Sequence, residues 1–337
     1  MVPIRRCHGP SVPADPDAAR MRDPPSLPIS SIPVSESLRF ERMDTLTPQA
    51  LRIPVSSRYG PSELEGHLLL PEGAAQAVLT IHPATATPER FYFSFAEAAA
   101  ASGFAVITYG FRGVGDRATA RAHRHIRMRD WMLEDVSAAA AWAEASFPDL
   151  PQVALGHSVG GHALLLGCGG ERLSGIVTIA THMAATRDIA PRGERLRVGV
   201  GLGVAGRAVT RLLGYMPGSR VGLGEDIPAA ALYEWTSWLR RPHFFFDDPT
   251  FDAEARIARL RAPVLSVGTT DDLWAAPAQI DALTDRLRLA PVTRRTISPA
   301  ELGTEHIGHH GLMRRSIAEE AWPEIFDWLR AAAGTSH

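Results

Sequence analysis

Residues 153–162 read Val153-Ala154-Leu155-Gly156-His157-Ser158-Val159-Gly160-Gly161-His162. Ser158 is the centre of a G-x-S-x-G pentapeptide. The apolar run Val153–Leu155 leads in like a buried strand, and the run from His162 to Leu166 leads out like a helix. A serine at such a strand–turn–helix junction is held in a strained conformation with its hydroxyl exposed, and bulk two residues to either side would collide with the turn, so glycine suits both places. The pentapeptide alone is also compatible with an ordinary turn or a helix N-cap. Its flanks and its downstream partners raise it above that reading.

Working outward, turn signals and apolar periodicity predict an opening hairpin (51–56 and 64–70), strand 77–81, helix 89–102 with Gly103 as its C-terminal stop, and strand 104–109. Helix 129–146, strand 152–156, helix 159–168 and strand 175–180 follow, then strand 263–267, helix 277–289, strand 292–297 and a closing helix 312–332. Strands alternating with helices predict an α/β fold: a mostly parallel, twisted sheet with helices on both faces, whose ligands bind at the carboxyl ends of the strands. Residues 183–256 break the alternation and read as a mainly helical cap or lid insertion, so the α/β core is expected over 45–182 and 257–337. Residues 1–44, rich in Pro, Ser, Asp and Arg, read as a disordered tail, with Met43 as an alternative start.

Composition excludes several classes. The chain has 337 residues, a formal net charge of −2 and 45% apolar residues, so no global field favours nucleic acid or an anionic membrane. All 35 basic Lys/Arg positions are arginine, which we read as compositional bias. The two cysteines, Cys7 and Cys168, form neither a metal-ligand spacing nor an expected disulfide, and a reducing cytoplasmic location is the expectation. No run approaches the roughly 18–20 apolar residues of a membrane span, and no apolar segment follows Arg5-Arg6 as a secretion signal requires. No cofactor and no metal are expected. The expected partner is a small-molecule acyl substrate, with self-association left open.

A serine needs a base to take its proton, and the base needs a carboxylate to fix its tautomer. The loop Val267-Gly-Thr-Thr-Asp271-Asp272-Leu-Trp-Ala-Ala-Pro277 follows a buried strand, and Asp271 is the expected orienting acid, with Asp272 its rival and N-capping the alternative role for either. The loop Glu305-His306-Ile307-Gly308-His309-His310-Gly311 precedes the last helix. His309 is the expected general base there, with His310 and His306 as rivals. The oxyanion donors are expected to be the amides of Val159 and of Ala84 in His82-Pro83-Ala84-Thr85-Ala86. Pro83 has no N–H, Thr85 is the next choice, and His82 reads as a buttress.

Other motifs weigh less. Gly201-Leu-Gly203-Val-Ala-Gly206 matches G-x-G-x-x-G but has no strand before it, so close helix packing is preferred to dinucleotide binding. Arg112-Gly-Val-Gly-Asp116 lacks the G-K-[ST] of a phosphate loop and reads as a sheet-edge loop. His123, His125 and Asp130 read as a solvated loop, not a metal site, and His157 and His162 as local packing or pocket lining.

With these pieces assembled, the chain resembles the α/β-hydrolase superfamily, and within it a bacterial branch of serine-aminopeptidase-like hydrolases. The resemblance runs from about residue 50 to 330. It rests on Pro83-Ala84-Thr85, Phe91-Tyr92-Phe93 with Phe95-Ala96, Tyr109-Gly110-Phe111-Arg112-Gly113-Val114-Gly115-Asp116 and the elbow. Gly222-Leu-Gly-Glu-Asp-Ile-Pro228, Asp271-Asp272 and Gly308-His309-His310-Gly311 complete it. It implies a Ser158–Asp271–His309 triad. Two departures stand out: Ala86 where glycine commonly follows Pro-Ala-Thr, and Gly110 where an acid commonly precedes the Arg-Gly segment. The expected activity is hydrolysis of a carboxylic ester of a small-to-medium, partly apolar substrate through an acyl-enzyme. The alternatives are an acyltransferase, an amidase or peptidase, or a lactonase using the same triad, or a catalytically silent ligand receptor.

Overall fold

The computed structural model describes residues 47–334. The expected disordered tail and Cys7 lie outside that range. Eight of its strands form one sheet: β1 (Gln49–Ser57), β2 (Gly60–Leu69), β3 (Ala77–His82), β4 (Phe104–Tyr109), β5 (Gln152–His157), β6 (Leu173–Ile179), β9 (Val264–Thr269) and β10 (Val292–Ile297), in the order β1-β2-β4-β3-β5-β6-β9-β10. β1 and β2 form an antiparallel hairpin, β2 runs antiparallel to β4, and all remaining neighbours are parallel.

The sequence explains why. β3, β4, β5 and β9 are buried at every position, as parallel strands covered on both faces must be. Alternate residues feed two cores. Val78, Ala105, Ile107 and Ala154 pack on one side, against Trp131, Val136 and Leu164. Leu79, Ile81, Val106 and Leu155 pack on the other, against Phe95, Trp322 and Phe326. The closing helix Ala318–Gly334 presents Trp322, Ile325, Phe326, Leu329 and Ala333 as its buried stripe.

Several element bounds differ from expectation. The closing helix begins at Ala318, not 312. Residues 312–317 instead carry the chain away from the His309 loop, with Leu312 and Met313 buried and the Leu312 carbonyl accepting from Trp322 Nε1 at 2.8 Å. The helix from Pro277 ends at Thr284, not 289, and turns and bends carry the chain from there to β10. A short helix, Arg117–Ala122, was not expected; Asp116 caps it through the Thr119 amide at 2.8 Å.

Residues 183–256 add no strand to the large sheet. They hold a helical run from Arg192 to Leu213, widened to i→i+5 turns over Arg197–Gly206, a two-stranded ribbon of β7 (Tyr215–Met216) and β8 (Ile227–Pro228), and helix Ala229–Leu239. The Gly201–Gly206 pattern therefore lies within a helix, without the strand and turn that a dinucleotide fingerprint requires. The Gly222–Pro228 motif straps this segment to two core loops. Glu225 N–H donates to the Ala86 carbonyl at 2.7 Å, Gly115 and Asp226 bridge main chain to main chain, and Glu225 pairs with Arg90. A Cβ on Gly224 would come within 2.2 Å of the Ala86 carbonyl oxygen, so only glycine permits this approach.

Candidate active site

β5 ends at His157, and Ser158 follows at φ 50° and ψ −108°, a conformation that a non-glycine residue keeps only when its surroundings enforce it. The surroundings are tight. A Cβ on Gly156 would lie 2.4 Å from the Gly161 nitrogen, one on Gly160 2.3 Å from the His82 carbonyl oxygen, and one on Gly161 2.0 Å from Thr181 Oγ1. The helix Val159–Leu165 starts at once, leaving its first amides unpaired within the helix.

His309 stands in a short helical turn, Gly308–Gly311, entered through Gly308 at φ 62°. Its Nδ1 lies 2.7 Å from Asp272 Oδ2. The expected acid was Asp271, and here the structure differs. Asp271 turns to the main chain of the histidine loop, accepting from Ile307 N–H at 2.8 Å and Gly308 N–H at 3.1 Å, and it pairs with the exposed ring of His306 at 2.7 Å. The two adjacent carboxylates thus divide the work: Asp271 holds the loop, and Asp272 meets the ring. Burial opposes charge on Asp272, but His309 and the amides of Trp274 and Ala275, at 2.8 and 3.0 Å, outweigh it and hold this carboxyl well below the usual range. Donation from His309 Nδ1–H to Asp272 leaves Nε2 with a lone pair, as a general base requires.

Ser158 and His309 line one cavity of about 210 Å³, together with Thr85, Val159, His182 and Trp274. It adjoins an apolar chamber of about 390 Å³ in the 183–256 segment, walled by residues such as Val198, Leu202 and Met216. Arg197, Leu223 and Trp274 border both spaces. Arg197 is neutralised by Glu194 at 2.6 Å, and Glu194 also accepts from Trp274 Nε1 at 2.5 Å.

The loop after β3 departs from expectation at one atom. Ala84 N–H does not face the cavity free; it donates to the Tyr92 hydroxyl at 2.8 Å. A tight turn follows, closed by Thr87 N–H to the Ala84 carbonyl at 3.3 Å, with Ala86 at φ 57°. Positive φ at the third turn residue explains why glycine commonly stands there. Gly110, the other departure, faces open space, and Arg112 finds its acids elsewhere: Asp135 at 2.6 Å and Glu134 at 2.7 Å. His82 is buried on the Tyr109 hydroxyl at 2.8 Å.

Four more histidines surround the site. His157 Nδ1 lies 3.0 Å from the Tyr92 hydroxyl and its Nε2 2.9 Å from the His309 carbonyl. His162 Nε2 meets the His182 carbonyl at 2.8 Å, and His182 Nδ1 meets the Ala180 carbonyl at 3.1 Å. His310 Nε2 lies 3.2 Å from Thr87 Oγ1. Burial lowers His162 to about 3 and both His182 and His310 to about 4, and it drives His157 well below its ordinary value. Sequence reasoning reads His157 as local packing or pocket lining and assigns no role to Tyr92, His182 or Trp274. The Phe91-Tyr92-Phe93 motif was the one available signal for Tyr92.

Among the described residues no cluster of His, Cys, Asp and Glu has metal-binding geometry, and no helix is long and apolar enough to cross a membrane.

A family model described as "Serine aminopeptidase, S33" matches residues 73–300. No curated protein gives a significant sequence match. Among solved structures, a soluble variant of monoglyceride lipase from Saccharomyces cerevisiae with a substrate analogue is 11% identical with a TM-score of 0.60, covering 83% of this chain and 96% of that one. The monoacylglycerol lipase of Paleococcus ferrophilus is 15% identical with a TM-score of 0.52, covering 80% and 100%. An esterase domain from Rhodothermus marinus is 17% identical with a TM-score of 0.53, covering 84% and 98%. At these identities the likeness establishes the fold.

Proposed function

Given that the chain belongs to the serine aminopeptidase (S33) family of α/β hydrolases, we propose that it hydrolyses a carboxylic ester of a small-to-medium, partly apolar substrate through an acyl-enzyme. The observation that carries this reading is the Asp272–His309 pair, 2.7 Å apart, opening onto the same cavity as the strained Ser158.

Ser158 Oγ attacks the ester carbonyl while His309 Nε2 takes its proton. Asp272 holds the ring in the Nδ1–H tautomer and stabilises the imidazolium. Negative charge on the carbonyl oxygen is met by the amide of Val159 and, with Ala84 N–H engaged by Tyr92, by that of Thr85. Collapse of the tetrahedral intermediate breaks the C–O bond, and His309 returns the proton to the leaving alcohol. Water, activated by the same base, then releases the acid. Residues 183–256 act as the cap, and the adjoining apolar chamber favours an alkyl-bearing group.

The family's name raises a second reading, aminopeptidase action. A free N-terminal ammonium needs a carboxylate facing it, and among the described residues lining the cavity none is Asp or Glu, while the one charged side chain, Arg197, is a cation. That favours the ester. Ser158→Ala should abolish turnover of p-nitrophenyl esters while leaving the unfolding transition in place. Undiminished turnover in that variant refutes the assignment.

A further inference from the structure

Three hydrogen bonds, two of them buried and the third partly so, join the loop after β3 to the histidine loop, and their directions follow from chemistry. The His309 carbonyl can only accept, so His157 Nε2 carries a proton and donates to it at 2.9 Å. His157 is fully buried, which keeps the ring neutral and its Nδ1 an acceptor. The Tyr92 hydroxyl, 3.0 Å away, therefore donates to Nδ1. The same hydroxyl accepts from Ala84 N–H at 2.8 Å. The chain runs one way: Ala84 N–H to Tyr92 O–H to His157 Nδ1, then His157 Nε2–H to the His309 carbonyl.

Each end lies at a reacting position. Ala84 and the following Thr85 line the cavity, and the far end is the main chain of His309 itself. The middle is rigid: Tyr92 is 1% exposed and His157 0% exposed, with rings edge to face at 6.0 Å. His157 also sits beside Ser158 at the end of β5, so the elbow carries the nucleophile and the relay on adjacent residues.

Resting on the Ser158–His309–Asp272 reading above, we propose that Tyr92 and His157 are positioning residues for this reaction: their hydrogen-bonded relay fixes the oxyanion loop and the general base relative to each other and to the serine. Neither touches substrate. Asp272 sets the tilt and tautomer of the His309 ring, whereas the relay sets where its backbone stands. Misplacement of a reacting group by about 1 Å costs on the order of 100-fold in rate. An interaction that aligns groups only for the transition state acts on kcat and not on substrate affinity.

The test uses the full chain, with a fluorophosphonate counting competent serines so that rates are per active site. Tyr92→Phe removes the hydroxyl. His157→Asn keeps an acceptor near the Nδ1 position but loses the donor to the His309 carbonyl. His157→Gln keeps a donor near the Nε2 position. Tyr92→Phe and His157→Asn should lower kcat about 10- to 100-fold per labelled site with KM within about threefold. Affinity for a boronic acid, which mimics the tetrahedral state, should fall in parallel with kcat. His157→Gln should exceed His157→Asn at least tenfold in kcat. Equal kcat in the two His157 variants, or wild-type kcat per site in Tyr92→Phe, overturns the relay. If Tyr92→Phe yields no labelled serine, the His157 pair decides. Labelled wild-type serine with unaffected variants removes the relay alone; no labelling of the wild type removes the relay and the hydrolase reading together.

Discussion

The site is built from histidines that must stay neutral, and this makes stability depend steeply on pH. His82, His157, His162, His182 and His310 are all depressed by burial: His82 and His162 to about 3, His182 and His310 to about 4, and His157 well below its ordinary value. Between pH 7 and 5.5 none of the five takes a proton in the folded protein. In the unfolded chain an imidazole with a pKa of about 6.5 goes from roughly one-quarter to nine-tenths protonated over that interval. The unfolded state therefore binds more protons, and stability is lost as pH falls, by a little over about 1 kcal/mol for each histidine and about 6 kcal/mol for the five together. Asp135 opposes this trend. Burial raises it to about 7 despite Arg112, so it gains a proton in the folded state over the same window and returns about 2 kcal/mol.

Five histidines against one carboxyl leave a net loss of about 4 to 5 kcal/mol between pH 7 and 5.5. The figure does not depend on how far below 5.5 each histidine lies, only on their number and on the unfolded value. Against a typical stability of about 5–15 kcal/mol, the protein should be near the edge of its folded range at pH 5.5. Urea unfolding at pH 7.5, 6.5 and 5.5, followed by tryptophan fluorescence, measures this directly. The midpoint should fall with little change in slope, and the melting temperature should drop by about 10 °C over the same range. A stability constant to within 1 kcal/mol down to pH 5.5 would show that these rings are charged or solvated in the native state. The tautomer argument for His157 would then fail with it.

Two further outcomes separate neighbouring residues. Asp272→Asn should lower kcat about 10⁴-fold, by removing the acceptor that fixes the His309 tautomer. Asp271→Asn should cost far less, and chiefly in stability, because its partners are the Ile307 and Gly308 amides; steady-state rates of the two variants decide, and equal losses would contradict the division between them. Ala86→Gly should stabilise the protein by about 1 kcal/mol by relieving the positive φ, read as a rise in the urea midpoint, and an unchanged or lower midpoint would mean that the turn is not strained.

The elbow was legible because its physics is local. Glycines at 156 and 160 are demanded by contacts of 2.4 and 2.3 Å, and a strand buried on both faces reads as a continuous apolar run. The relay was not legible, because it depends on ring positions 65 and 152 residues apart in sequence. Ala84 shows the same limit. Proline chemistry at residue 83 shifts attention past that position, but only the fold reveals that a tyrosine eight residues on claims the Ala84 amide.

The Asp271–Asp272 pair marks where sequence reasoning ends for a physical reason. Both residues follow the same strand, both are carboxylates, and both end on the histidine loop, so strand position, charge and chain order are shared. They differ in direction. Asp272 sends one oxygen to the ring and the other to the Trp274 and Ala275 amides of its own turn, which is why it is 5% exposed and depressed. Asp271 points along the opposite side of the turn and grips the backbone that delivers His309. An orienting acid must itself be oriented. The carboxylate with two amides of its own turn on its second oxygen meets that requirement, whereas the one gripping the neighbouring loop spends its oxygens on that loop. That criterion favours Asp272 for the role sequence order gave to Asp271, and it operates on hydrogen bonds that only the folded turn creates.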